Sequence, residues 1–263
     1  AEYMGCPSNV MLFINDLFKP FVYMLDMGTR WKGKGYEARA LAYPIAEITS
    51  KLQDVLKRSN VRGTLSGINV LLQVGTEESE ALSAACFGRS ITTSDESKRW
   101  LQLGSEEAFF LCVSLKCLEL VDHLGYVKTE SELWQHLVTR NPKFPELYIA
   151  YSHLRKRNWV VRPGSQYGVD FVAYRYHPSM VHSEYAVIVC TEGKGKESER
   201  LRVWSDVHCA VRLGASVAKT LLLVYISESD DAELPWSLDR YLLTQRTISR
   251  WVPQKNREEQ ISM

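Results

Sequence analysis

Two β-rich runs, Val169 to Tyr176 and Tyr185 to Val189, flank a short connection holding Pro178 and His182, and this pair constrains the fold more than any other stretch. Val, Phe, Tyr and Ile fill both runs, and Pro163-Gly164 marks a turn before them. A tyrosine ending one strand and a histidine at the mouth of the next can face one point in space, an arrangement suited to acid–base work. Further along, Thr220 to Ile226 is a continuous apolar run, the pattern of a strand buried on both faces. Leu201 to Trp204 reads as a strand, and Ser205 as the cap of a helix through Val211, Arg212 and Val217. Strand, helix and buried strand then form a βαβ unit, expected to be right-handed. Lys219 stands at the start of its second strand, where a charge is out of place unless it reaches a cleft. Gln245 to Val252 reads as a last short strand.

Upstream, Ala38 to Lys57 has the apolar spacing of a helix, which Pro44 bends or delays. Gly67 to Val74 reads as a buried strand, Glu77 to Cys86 as a short helix, and Trp100 to Leu103 as another strand. Ser105 is the expected cap of a helix with Glu106 and Glu107 in its first turn. Thr129 and Glu132 form a capping box for a helix through Leu133, Trp134 and Leu137. The prolines of Asn141-Pro142-Lys143-Phe144-Pro145 suggest a domain boundary. Leu147 to Lys156 follows as a helix with Tyr148, Tyr151 and Leu154 on one face. Its end, Arg155-Lys156-Arg157, fits either a solvated helix terminus or a phosphate contact.

The chain is therefore expected to be α/β, in three parts: an extension over 1–30 with no assigned role, an N-terminal α/β domain over 31–140, and a C-terminal domain over 146–263 with a mixed sheet and flanking helices. Val10 to Met27 is apolar-rich but broken by Asn15, Asp16, Lys19, Pro20 and Asp26, so it reads as neither a membrane span nor a signal peptide. Trp31-Lys32-Gly33-Lys34-Gly35 lacks the Gly-Lys-Ser/Thr ending of a phosphate loop and reads as flexible surface.

A net charge of +1 excludes a global basic field, so any nucleic-acid contact must use local patches. The six cysteines (Cys6, Cys86, Cys112, Cys117, Cys190, Cys209) are scattered without a Cys-x-x-Cys, which suits small buried thiols in a reducing compartment. His123 and His136 stand alone and read as ordinary surface or core residues. A zinc site from His177, His182, His208, Cys190 and Cys209 lacks close ligand pairs. A metal-dependent DNA nuclease would need clustered acids ending in a Glu-x-Lys-like strand; here Tyr185 and Ala186 follow Glu184, and only Asp170 offers a second acid.

Gly168-Val169-Asp170-Phe171-x-x-Tyr174, then His182-Ser183-Glu184-Tyr185, then Arg212 with Ser216-Val217-x-Lys219, resembles the C-terminal catalytic domain of the tRNA-splicing endonucleases. The fuller stretch with His153-Leu154-Arg155-x-x-Asn158-Trp159-Val160-Val161-Arg162 is similar to the eukaryotic subunit that cuts the 5′ splice site, and to its plant forms in particular. The likeness covers about 150 to 226, a coarse boundary. It is weaker over 31 to 140, where Cys86-Phe87-Gly88-Arg89 and the Glu106 to Phe110 helix still fit, and absent before residue 30. Many eukaryotic relatives carry a longer insertion between their halves.

The resemblance implies RNA cleavage without metal or cofactor. A 2′-hydroxyl attacks its neighbouring phosphate, leaving a 2′,3′-cyclic phosphate and a 5′-hydroxyl. Tyr174 would be the general base, His182 the general acid, and Lys219 the cation beside the transition state. A positioned proton-transfer group gives about 10² to 10⁴ in rate, and histidine titrates nearest neutrality. A tyrosine base needs nearby cations, Lys219 or an arginine, to stabilise phenolate. The swapped assignment, His182 as base and Tyr174 as acid, stays open. The resemblance further implies that Arg212 helps clamp a bulged base between flat side chains, with Trp251 the candidate second partner. It implies a precursor tRNA read by shape and a four-subunit assembly; the expected location is the nucleus, with no membrane span. The acidic stretch Glu228 to Glu233 is a candidate docking loop. The alternative within the family is a structural subunit without the chemistry.

Overall fold

The computed structural model describes residues 29–92, 99–191, 201, 203–216, 218–228 and 235–250, and the strand at 12–16; for 12–16, 215–216, 228 and 249–250 the backbone alone is described. In chain order the regular elements are β1 (Leu12–Asp16), α1 (Tyr36–Ala42), α2 (Ile45–Ser59), β2 (Arg62–Ser66), β3 (Asn69–Val74), α3 (Thr76–Ala84), β4 (Arg89–Ile91), β5 (Arg99–Leu103), α4 (Ser105–Phe109), β6 (Glu119–Val121), α5 (Glu130–Arg140) and α6 (Phe144–Lys156). There follow β7 (Val160–Pro163), β8 (Phe171–Tyr174), β9 (Tyr185–Thr191), α7 (Trp204–Ser216), β10 (Thr220–Glu228) and β11 (Tyr241–Arg250).

The strands form two mixed sheets, ordered β4-β5-β3-β2-β6 and β1-β11-β10-β9-β8-β7. In the second sheet β9 and β10 run parallel, and the other neighbours are antiparallel. The α/β expectation therefore holds, with one correction to its central unit. The strand before α7 is β9, not Leu201–Trp204: Trp204 is already helical. Leu201–Trp204 has strand-like residues, but the sheet position beside β10 is taken by β9, through the register Thr220↔Tyr185 to Ile226↔Thr191.

Both faces of this sheet are covered. Phe171, Ala173, Tyr185, Val187, Leu222 and Val224 join the main core beneath α6. Val172, Ala186, Ile188, Leu221 and Leu223 form a second cluster with Val211 of α7. Successive strand residues point to opposite faces, so a run that is apolar throughout demands this double cover.

Local rules explain the helix starts. Pro44 separates α1 from α2 because its ring fixes the backbone and removes a donor. At α5 the Thr129 hydroxyl accepts from the Glu132 N–H at 3.3 Å while the Glu132 carboxylate accepts from the Thr129 N–H at 2.9 Å, the expected capping box. At α4 the cap is Gly104 and not Ser105: Ser105 is the first helical residue, and the Gly104 N–H is satisfied by the Glu107 carboxylate at 3.0 Å. The helix then widens into a π-turn over Phe110–Ser114.

The halves are joined by aromatic packing and arginines. Fully buried Phe109 meets Trp134, Phe144 and Tyr148, and also Trp236, which precedes β11. Arg162 of β7 donates to the carbonyls of Cys86 at 3.1 Å and Gly88 at 2.8 Å and to Glu107 at 3.2 Å. Arg155 neither ends its helix in solvent nor is free for phosphate. It is buried, donates to the Ala85 carbonyl at 3.0 Å, and lies 3.8 Å over the Phe87 ring. Of the described cysteines, Cys86, Cys117 and Cys190 are buried as expected, while Cys112 is half-buried and Cys209 is exposed.

Candidate active site

Sheet topology brings the three sequence candidates to one end. β8 runs antiparallel to β9, so the end of β8 lies beside the start of β9; β9 runs parallel to β10, so their starts are neighbours. Tyr174 is the last residue of β8, His182 sits just ahead of β9, and Lys219 immediately precedes β10. Two backbone bonds seal this corner: Glu184 N–H to Ala173 O at 2.9 Å, and Thr220 N–H to Glu184 O at 3.0 Å. The loop before β8 is also fixed, for the Asp170 carboxylate accepts from the Val189 N–H at 2.8 Å. A side chain at Gly164 would meet the backbone carbon of Phe171 at 2.8 Å, so only glycine fits this close turn.

The Tyr174 ring is half-buried and packs beside Ile45, Cys86 and Val160. The N-terminal half thus supplies part of its pocket. That burial raises its pKa above the ordinary tyrosine value; the Ser183 side chain, hydrogen-bonded to it, and the charge of Arg162 pull back only in part. Lys219 is not among the groups that lower it. Its ammonium lies 4.3 Å over the ring of Tyr167, and desolvation, with the charge of Arg30, lowers its own pKa. His182 is exposed, and its pKa is lowered by desolvation and then by the like charges of Arg30, Lys32 and Lys219. At neutral pH the resting site therefore holds a protonated phenol and favours a neutral imidazole.

The connection that carries His182 is held from several sides. At its ends, the Arg175 guanidinium forks onto the buried Glu184 carboxylate at 3.2 and 3.1 Å and lies 4.8 Å over the Trp159 ring. In its middle, His177 reaches the Ser83 carbonyl at 3.2 Å. Trp31 forms a bridge with Val181 and stacks on Tyr176 with centroids 5.2 Å apart, where loose surface was expected. Sequence reasoning missed this anchoring segment, along with Tyr167 and Ser183. Their signal was present only as cations and aromatics near glycines, which composition cannot rank.

Arg212 is exposed on α7, with no ion pair among the described residues. Trp251, the Ser229–Glu233 part of the acidic stretch, and the charged loop holding Lys194 and Lys196 lie outside the described residues. Among the described residues no three His, Cys, Asp or Glu side chains are grouped as metal ligands, and no helix is long and apolar enough to cross a membrane.

Two family models match. The catalytic C-terminal domain of tRNA intron endonuclease covers residues 144–234, and the N-terminal domain of the same enzyme covers 61–134. The chain is 49% identical over 237 residues to tRNA-splicing endonuclease subunit Sen2-2 of Arabidopsis thaliana, spanning 89% of this chain and 93% of that one. It is 48% identical over 237 residues to subunit Sen2-1 of the same plant, spanning 89% and 99%. Against the Sen2 subunit of Mus musculus the identity is 33% over 171 residues, spanning 61% of this chain and 36% of that longer one.

Proposed function

The chain belongs to the tRNA intron endonuclease family, among the Sen2 subunits of tRNA-splicing endonuclease, and we propose from that premise that it cuts intron-containing precursor tRNA at the 5′ splice site through Tyr174, His182 and Lys219. The observation that carries this reading is the shared corner of the C-terminal sheet, where the end of β8 and the starts of β9 and β10 converge. It favours a catalytic over a structural subunit, because all three reactive side chain types are present there and His182 is open to solvent.

In the proposed reaction the substrate 2′-hydroxyl loses its proton and attacks the adjacent phosphorus. The bond to the 5′ oxygen breaks, and that oxygen is protonated as it leaves. The products are a 2′,3′-cyclic phosphate and a 5′-hydroxyl, with no redox change and no net proton consumed. Lys219 stabilises the negative charge that grows on the non-bridging oxygens, the kind of electrostatic contribution that a preorganised cation makes.

The family resemblance gives Tyr174 the base role and His182 the acid role. The resting protonation favours the exchange of roles: a phenol held above its ordinary pKa is a donor, and an imidazole held below its own is an acceptor. Both assignments carry the same number of protons, so a pH–rate profile does not separate them. A substrate with sulfur in place of the leaving 5′ oxygen does, because thiolate leaves without an acid. If Tyr174 is the acid, this substrate restores cleavage by Tyr174→Phe and leaves His182→Ala inactive. The reverse pattern gives the acid role to His182.

The assembly is proposed to contain four subunits and to act in the nucleus, with RNA recognised by shape. Arg212 and Trp251 are proposed as the two sides of a base clamp, which can serve a partner subunit's site. The reading as a whole is tested by incubating the assembled complex with precursor tRNA in EDTA. Cleavage at the 5′ site with a cyclic phosphate end supports it; a requirement for Mg²⁺ overturns it.

A further inference from the structure

We infer that Arg30 is a phosphate-binding residue of this active site, presenting its guanidinium to a phosphodiester oxygen of RNA bound between His182 and Lys219. The inference rests on the function proposed above and adds to it a group far away in sequence.

Residues Thr29 to Lys32 lie along the connection that carries His182, and each makes a contact. The His182 N–H donates to the Arg30 carbonyl at 3.0 Å, and the Lys32 N–H to the Met180 carbonyl at 2.8 Å, on either side of the Trp31–Val181 bridge. Thr29 Oγ1 donates to Glu184 at 3.2 Å, and Lys32 Nζ to the Pro178 carbonyl at 2.7 Å. Arg30 Nη2 donates to the Ala218 carbonyl at 2.7 Å, one residue before Lys219. Ala218 has φ +51°, the left-handed region that alanine rarely adopts, so this turn is held by its surroundings. Arg30 therefore touches the backbone of both flanks of the site: the residue that is His182 and the residue that precedes Lys219.

The charge balance points the same way. Arg30, Lys32 and Lys219 all act on His182 as like charges, and among the described residues none of the three has a carboxylate partner. Glu184, the nearby acid, is already taken by Arg175 and Thr29. A cluster of cations kept together beside a histidine, with no carboxylate partner among the described residues, is suited to a polyanion. Arginine is the suitable member for a second phosphate contact. A guanidinium has five N–H donors; the bond to Ala218 uses one, and the fork that remains matches a phosphate edge. A residue that served only to strap the connection would need none of this, since Trp31 and the backbone pairing already do so.

The test compares Arg30→Ala, Arg30→Lys and Trp31→Ala in the complex assembled with its partner subunits, using single-turnover cleavage of precursor tRNA over a range of salt. A charge-assisted contact to phosphate predicts that Arg30→Ala slows 5′-site cleavage about ten- to a hundredfold and that Arg30→Lys recovers part of this. It further predicts that the slope of log affinity against log salt shrinks by about one in Arg30→Ala. Trp31→Ala, which loosens the strap and keeps the charge, should leave that slope unchanged. Arg30→Ala cutting like the parent overturns the inference, as does a slow Arg30→Ala whose salt slope equals the parent's and whose defect Arg30→Lys does not relieve. His182→Ala run alongside keeps the two ideas apart. If it cuts the 5′ site normally the catalytic reading itself fails; if it is inactive while Arg30→Ala is normal, the inference alone fails.

Discussion

Two regions of the molecule treat their cations differently. Away from the active corner, Arg58, Arg62 and Lys128 sit against Glu77, Glu119 and Asp122 on the surface, and Arg162 is bound to Glu107 between the sheets. At the proposed catalytic end, Arg30 and Lys32 reach main-chain carbonyls and Lys219 an aromatic face, with no carboxylate on any of them among the described residues. The hydrophobic investment differs as well. The N-terminal sheet and α6 enclose Phe109 in a cage of aromatic rings, whereas His182 is left in solvent and Tyr174 and Lys219 are only half-covered. Stability and the proposed reactivity are thus separated in space: one region has its charges compensated and its rings buried, and at the other Arg30, Lys32 and Lys219 have no carboxylate partner among the described residues, beside the Arg175–Glu184 pair that braces the sheet corner.

If that separation is real, substitutions on the two sides should have opposite signatures. Phe109→Ala empties the centre of the aromatic cage and should cost about 3–5 kcal/mol of stability by thermal or denaturant unfolding. Lys219→Ala should lower the 5′-site cleavage rate about a hundredfold or more in the assembled complex. Because that side chain is half-exposed and touches one ring, its melting temperature should stay close to the parent's. A Lys219→Ala protein that unfolds as readily as Phe109→Ala would erase the distinction.

Glu184 lies on the border between the two regions. Glu184→Gln removes the Arg175–Glu184 ion pair and loosens both ends of the His182 connection, so stability and cleavage should fall together, stability by about 2 kcal/mol. Hydrogen exchange at the His182 amide should quicken. Unchanged exchange there would show that Trp31 and Val181 hold the connection by themselves.

A pH dependence is expected on the stable side. His153 on α6 is pushed down to about 4 by burial and by Arg157 and Lys156. Its folded value lies below its unfolded value of about 6.5, so the unfolded chain binds the extra proton between these limits. Stability contributed by the neutral ring is present above pH 6.5 and is lost as pH falls toward 4, at about 1.4 kcal/mol per pH unit. His153→Leu should flatten that part of the acid limb; an unaltered limb between pH 6.5 and 4 would assign the titration to other groups.

What the sequence made legible follows the range of the forces involved. Near-neighbour effects could be read directly: the break at Pro44, the capping box at Thr129 and Glu132, and the doubly buried Thr220 to Ile226 run. The identity of the first strand of the βαβ unit could not be, because Leu201–Trp204 has local strand character and only the register of β9 with β10 decides the pairing. Arg155 gave the same difficulty, since a basic helix end says nothing of the Phe87 ring that covers it. At the proposed catalytic corner, Tyr174, His182 and Lys219 were legible as candidates through their chemistry and their likeness to a family. The strap at Thr29–Lys32 was not, because its partners lie about 150 to 190 residues away and no periodicity links them.

The most direct measurement is the 5′-site and 3′-site cleavage of one precursor tRNA by the assembled complex in EDTA, with the parent chain beside His182→Ala. The variant should fold and assemble as the parent does, since His182 is exposed, and should lose 5′-site cleavage by about 10² to 10⁴ while the 3′ site is still cut. Normal cutting of the 5′ site by that variant would contradict a catalytic role for His182 and make this chain a scaffold for another subunit's chemistry.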